Sequence, residues 1–201
     1  MRVPYGEPVL PAPHTSVESP AAGPDNSDID EWLVAKAKEG DADAFEALVR
    51  RHHVRIYRIA LRIVGNPHDA QDVTQDVLVQ LWGSLAGFLG SAAFTTWLYR
   101  MVVNRSLNHR KRRPSTVSML EDDRPAAAGP AEEVIARQRA DATARAIAAL
   151  PAEQRAAVVL HQLEGFSYAE VAAILGISES TVRGRLARGR RTLVEQLREW
   201  A

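Results

Sequence analysis

One stretch, residues 167–197, restricts what this chain can fold into more than any other: SYAEVAAILGISESTVRGRLARGRRTLVEQL. Ser167 is placed to cap a helix, and Glu170, three residues on, completes a capping box. Val171, Ala172, Ile174 and Leu175 give that helix an apolar side. Gly176 suits the left-handed residue that ends a helix. Ile177 fills the turn, and Ser178 is the expected N-cap of a second helix. At about 100° per residue, Val182, Leu186, Gly189, Leu193 and Leu197 share one side of that second helix. Ser180, Thr181, Arg183, Gly184, Ala187, Arg188 and Arg191 share the opposite arc. The pattern predicts a helix-turn-helix.

An arginine run by itself is more often a solvated face than a binding surface. Behind a capped helix and a glycine turn it reads as a DNA-binding helix. Its small residues let the backbone approach a major groove while arginine reaches phosphates or guanine edges. Gly184 costs about 1 kcal/mol of helix propensity relative to Ala, which close approach to DNA offsets.

The chain of 201 residues is 46% hydrophobic, enough for one domain or two small ones. It contains no cysteine, which excludes disulfides, thiolate metal sites and thiol switches. No apolar run approaches a membrane span and no signal-peptide core opens the chain, so the expected location is cytoplasmic, without membrane insertion. The six histidines show no metal-ligand spacing, and no phosphate loop or nucleophile motif is present. An enzyme, a metal site and a cofactor are therefore not expected. His161 reads as a packed residue rather than a ligand.

The formal net charge is zero, but the charges are segregated. Arg50, Arg51, Arg55, Arg58 and Arg62 form one basic block, and Arg100, Arg105, Arg110, Lys111, Arg112 and Arg113 another, with Asp69, Asp72 and Asp76 between them. Segregated blocks imply separate surfaces for separate partners. A neutral chain has little long-range pull on DNA, so help from a partner is expected.

Residues 1–27 are Pro-rich and aperiodic, and are expected to be a disordered extension. A capping pattern at Asp28–Glu31 opens a helix that Gly40 ends. A second pattern, Asp43 to Glu46, opens a longer helix closed by Gly65. Its arginines fall on the non-core side, where simple solvation is the first expectation. Asn66-Pro67 restarts a helix through Trp82. Asp69, Asp72, Gln75 and Asp76 give it an acidic face suited to a basic protein partner.

Residues 83–93 read as a loop. A helix follows from Phe94 to Arg113. Phe94, Trp97 and Tyr99 near Asn104, Arg105, Arg110 and Lys111 suit single-stranded nucleic acid, where bases stack and cations hold phosphates. The competing reading puts Phe94, Trp97 and Leu98 in a core. Residues 114–132 form an acidic, Pro-rich linker, and helix resumes from 133. The expected fold is all-α: two small helical domains, 28–113 and 133–201, joined by a flexible linker, the second carrying the helix-turn-helix.

Four stretches together resemble a bacterial RNA polymerase sigma factor of the extracytoplasmic-function, group 4 type. They are residues 69–76 (DAQDVTQD), residues 94–100 (FTTWLYR) with Asn104, residues 150–155 (LPAEQR), and residues 164–172 (EGFSYAEVA) with residues 181–186 (TVRGRL). The resemblance implies that Asp69, Asp72, Gln75 and Asp76 dock on the β′ clamp helices of core polymerase. It implies that the loop before Phe94 and the helix after it, with Phe94, Trp97, Tyr99, Asn104, Arg105, Arg110 and Lys111, read and melt the −10 element. The linker corresponds to a segment threading toward the active-site and RNA-exit channels. Ser180, Thr181, Arg183, Gly184, Arg185, Arg188 and Arg191 correspond to the −35 reader, held by the β flap. An anti-sigma factor is the expected regulator. Gly184 stands where the family often has Ser, and Gly189 is expected to loosen the recognition helix. A stand-alone helix-turn-helix repressor is the competing class; it needs neither the acidic helix nor the Trp97 region.

Overall fold

In a computed structural model, residues 24–112 and 131–198 can be described. The expected extension, apart from its last residues, and residues 114–130 of the expected linker, with Glu121, Asp122 and Asp123, lie outside them, as does Arg113; the linker's last two residues, 131 and 132, instead open a helix. Eight α-helices are found among the described residues: α1 (Pro24–Lys38), α2 (Ala42–Val64), α3 (Pro67–Ser84), α4 (Phe94–Arg112), α5 (Ala131–Ala149), α6 (Ala152–Val158), α7 (Tyr168–Leu175) and α8 (Glu179–Gln196). A π-type turn, Val159–Leu163, extends α6, and a 3-10 turn, Leu85–Gly87, follows α3.

Local chemistry accounts for most of the boundaries. Asn66 caps α3 by accepting from His68 N and Asp69 N, with Pro67 at the first helical position. Ser167 and Glu170 form the reciprocal capping box of α7. Gly176, with φ 66°, ends α7 in the left-handed conformation. Ser178 then accepts from Thr181 N at the head of α8. Two starts differ from expectation. α1 begins at Pro24 rather than Asp28. α2 is capped by Asp41, whose side chain accepts from Ala44 N, rather than by Asp43. Gly40, with φ 95°, turns the chain so that Asp41 takes the extended conformation of a cap.

α1 to α4 form one helical unit, with α2 at its centre packed on α1, α3 and α4. α5 to α8 form the second, in which α8 lies on α6 and α7. Leu48, Ile56, Ile59, Ile63, Val73, Val77, Leu81, Leu98 and Val102 fill the first core, and Leu150, Val158, Leu160, Val171, Ile174, Val182 and Leu186 the second. The two cores are continuous. α4 packs on α7, and α2 on α5 and α6, so the second unit closes against the first.

Gly189 has a different role from the expected loosening. It is buried, and a Cβ there would meet Val158 Cγ2 at 2.9 Å. The missing side chain lets α8 pack close against Val158 and Gln154 of α6. Gly184 is open, with only the Arg188 guanidinium at 3.6 Å. Gly189→Ala is expected to lose about 1–3 kcal/mol through overpacking. Gly184→Ala is expected to gain up to about 1 kcal/mol from helix propensity. Urea unfolding of the two variants beside the wild type measures both.

Candidate functional site

On α8, Val182, Leu186 and Gly189 face inward, leaving Ser180, Thr181, Arg183, Arg188 and Arg191 exposed on the other arc. Arg183 lies over the Tyr168 ring, 4.6 Å from its centroid, and reaches Glu179 at 3.4 Å. Tyr168 packs in turn on His161, whose Nδ1 donates to the Phe166 carbonyl at 2.7 Å. His161 is thus a packing residue. Arg185 points away from the arc and pairs with Glu153 on α6 at 2.6 Å. It braces the helix rather than joining the exposed row.

On α3, Asp72 and Gln75 are exposed. Asp69 approaches His109 at 3.1 Å, without hydrogen-bond alignment at the ring nitrogen. Asp76 pairs with Arg105 at 2.8 Å. The acidic face therefore runs along the α4 seam, and Arg105 is committed to it. Beside this pair lies an open cleft lined by Gln80, Ser84, Trp97, Asn104, Arg105 and Asn108. Trp97 is half-buried and packs on Phe88 at 5.0 Å, while Asn104 and Lys111 are exposed.

Phe94 and Tyr99 are core residues in this closed form, 4% and 1% exposed. Phe94 packs among Phe88, Trp97 and His52. Tyr99 lies under Phe166 of the second unit, and its hydroxyl meets His52 Nδ1 at 3.1 Å. The other ring nitrogen of His52 meets Asp30 at 3.0 Å, and Arg51 donates to the same carboxylate at 2.9 Å. A carboxylate only accepts, so His52 Nε2 carries a proton and donates it to Asp30. Burial pushes the Tyr99 hydroxyl up to about 12. Burial also works to raise the Asp30 carboxyl, but the hydrogen bonds and charges of His52 and Arg51 outweigh it and hold the group below its ordinary value.

Where the two units meet, arginines of the first are seated on acceptors of the second. Arg55, Arg58 and Arg62 of α2 converge on the Glu164 side chain at 3.3, 2.6 and 2.5 Å. Arg55 and Arg62 also donate to the carbonyls of Glu164 and Leu163. Glu164 has no exposed side-chain surface. Arg110 reaches the Ala148 carbonyl, Arg100 the Ala173 carbonyl. In return the fully buried Arg155 donates to Ile63 O of α2 at 2.7 Å, and to Ala148 and Leu150.

This order of elements matches two family descriptions, Sigma-70 region 2 over residues 48–116 and Sigma-70 region 4 over residues 140–193. The chain is 38% identical over 169 residues to the ECF RNA polymerase sigma factor SigM of Mycobacterium tuberculosis, across 84% of each. The chain belongs to the ECF RNA polymerase sigma factors.

Among solved structures, this sigma factor resembles CnrH, determined in complex with the cytosolic domain of CnrY, with a TM-score of 0.67 and 30% identity over 86% of this chain and 99% of that one. The sigma factor RpoE of Bartonella quintana, determined with the anti-sigma factor NepR, shares the fold at a TM-score of 0.60 and 24% identity, over 77% of this chain and 96% of that one. A stand-alone repressor is set aside, because the region 2 unit is present as well as the helix-turn-helix.

No helix among the described residues is long and apolar enough to cross a membrane. No cluster of three or more His, Asp or Glu among them is placed to hold a metal. Sequence reasoning overlooked the Glu164 cluster in this sigma factor. The available signal was the spacing of Arg55, Arg58 and Arg62, which aligns them on one helix face.

The Asp30 carboxyl, lowered on folding, adds stability above its unfolded value of 3.8 that is lost as pH falls through the folded value. Asp30→Asn is expected to be less stable than wild type at neutral pH, and the gap is expected to close as pH drops below 3.8. Urea unfolding from pH 7 downward reads that gap.

Proposed function

We infer that this sigma factor docks on core RNA polymerase through α3, reads the −10 element with the loop before α4 and the exposed part of α4, and reads the −35 element with α8. The observation that carries the reading is the exposed row Ser180, Thr181, Arg183, Arg188 and Arg191, with Gly184 among them, on a capped helix whose opposite side is buried. Such a row brings guanidiniums to phosphates and base edges while the buried side keeps the helix on its support. Arg185 serves the site by holding α8 to α6. Asp72 and Gln75 are the free part of the docking face; Asp69 and Asp76 shape it through His109 and Arg105. Trp97, Asn104 and Lys111 are the accessible members of the −10 set. Phe94, Tyr99, Arg105 and Arg110 support them from within or from the closed interface.

The protein acts by binding, without covalent chemistry of its own, and works in the cytoplasm where its polymerase is. Contacts through the β′ clamp helices and β flap would fix the spacing of two individually weak readers, raising the effective concentration of each at its element. Control by an anti-sigma factor is part of the reading, supported by the RpoE fold solved with NepR.

Purified core polymerase with this protein is expected to start transcription from a subset of a promoter library, each member carrying paired −35 and −10 elements. Core binding without protein-dependent initiation overturns the reading. Arg188→Ala is expected to weaken −35 binding by about 1–3 kcal/mol, with discrimination at one base position relaxed; unchanged selectivity removes Arg188 from the base-contacting set. Asp72→Ala with Gln75→Ala is expected to lower affinity for core polymerase while circular dichroism stays unchanged.

A further inference from the structure

The Glu164 cluster is unbalanced. Three guanidiniums with five N–H donors each face one carboxylate able to accept about four hydrogen bonds. Two carbonyls, Leu163 O and Glu164 O, add acceptors but no charge. Three positive charges therefore meet one negative charge. The arginine side chains remain 33%, 45% and 32% exposed, whereas Glu164 is fully enclosed. The arginines form a surface larger than the group now on it. From Arg55 to Arg62 the helix rises about 10 Å, a length along which one strand of duplex presents about three phosphates at 3.4 Å each.

We propose that Arg55, Arg58 and Arg62 form a phosphodiester-binding stripe for promoter DNA, which Glu164 occupies in the closed form. A carboxylate and a phosphate make the same kind of forked contact with guanidinium, so the stripe exchanges one acceptor for another when the second unit moves away. The neighbouring contacts follow the same rule. Arg100 and Arg110 are likewise seated on carbonyls of the second unit, Ala173 O and Ala148 O. The second unit thus presents stand-ins for the phosphate backbone to five arginines of the first. DNA bound there competes directly with closure, so opening and promoter engagement are coupled by charge.

The inference rests on the promoter-directing role and makes a separate prediction. Preformed holoenzyme, at saturating core polymerase, is titrated with a promoter fragment over a range of salt. Wild-type holoenzyme forming no protein-dependent promoter complex would overturn that role itself. Given the complex, each phosphate contact contributes about 0.9 to the slope of log affinity against log salt. R58A/R62A is expected to flatten the slope by about 1.8. R58K/R62K, which keeps the charges, is expected to restore most of it. E164Q removes the occupant's charge but not the stripe, and is expected to leave the slope unchanged while opening the free protein, read as a longer inter-unit distance by fluorescence energy transfer.

If the arginines serve only to hold Glu164, R58A/R62A behaves like E164Q, with opening and an unchanged slope, and the proposal is overturned. The same unchanged slope is the outcome if the stripe instead receives an acidic segment of a protein partner. Should the double variant fold poorly, R58A alone, at the most exposed of the three positions, is expected to flatten the slope by about 0.9. An unchanged slope for folded R58A overturns the proposal equally.

Discussion

A carboxylate with no exposed surface organises this molecule. Glu164 follows the π-type turn that ends α6, and the wider turn carries it out of the helix toward α2. There it meets Arg55, Arg58 and Arg62, while Arg155, from the same helix, reaches back to Ile63 O. An enclosed charge is tolerated only with partners in place. Removing one side of such a cluster costs about 3–5 kcal/mol, whereas the intact cluster adds little net stability over an apolar contact. Its effect is therefore on which arrangement of the two units is adopted. Tyr99 and Phe166 pack beside it, with the Arg55 guanidinium 4.2 Å from the Phe166 ring centroid.

That arrangement bears on the sigma-factor role. The exposed arc of α8 and the exposed part of α3 both remain open to solvent in the closed form. The α4 face around Tyr99 is covered by α7 and Phe166, with Arg100 at its exposed edge on the Ala173 carbonyl. Closure thus leaves one set of surfaces available and withdraws another. The two units share a continuous apolar core, and charged and polar contacts lie between them beside it. Polar contacts can exchange for contacts with an anion in a way that a purely apolar interface cannot.

Much of the local structure was legible in the chain. Asn66-Pro67, Ser167 with Glu170, Gly176 and Ser178 act within three or four residues, and each forms the cap its chemistry implies. Asp41 and Asp43 were harder to separate. Both offer a carboxylate near a helix start, and the choice falls to the backbone turn at Gly40. The apolar periodicity of α8 places Gly189 inward but does not show whether it weakens the helix. Whether a buried glycine loosens a helix or admits a neighbour depends on what lies opposite, here Val158. Arg185 sits in the same arginine-rich run as Arg183 and Arg188, yet only the position of Glu153 shows that it faces α6.

The sequence by itself determined most of the helices and their caps, the exposed arginine arc of α8 and the acidic face of α3. Those features depend on periodicity and on hydrogen bonds between near neighbours, which a linear pattern records. Tertiary structure alone decided that Phe94 and Tyr99 lie in the core, that Asp30, His52 and Tyr99 form one hydrogen-bonded chain, and that three apparently solvated arginines enclose Glu164. Each of these depends on groups 22 to 109 residues apart. The partner of a charged side chain is set by which surfaces pack together, and a linear pattern does not record that.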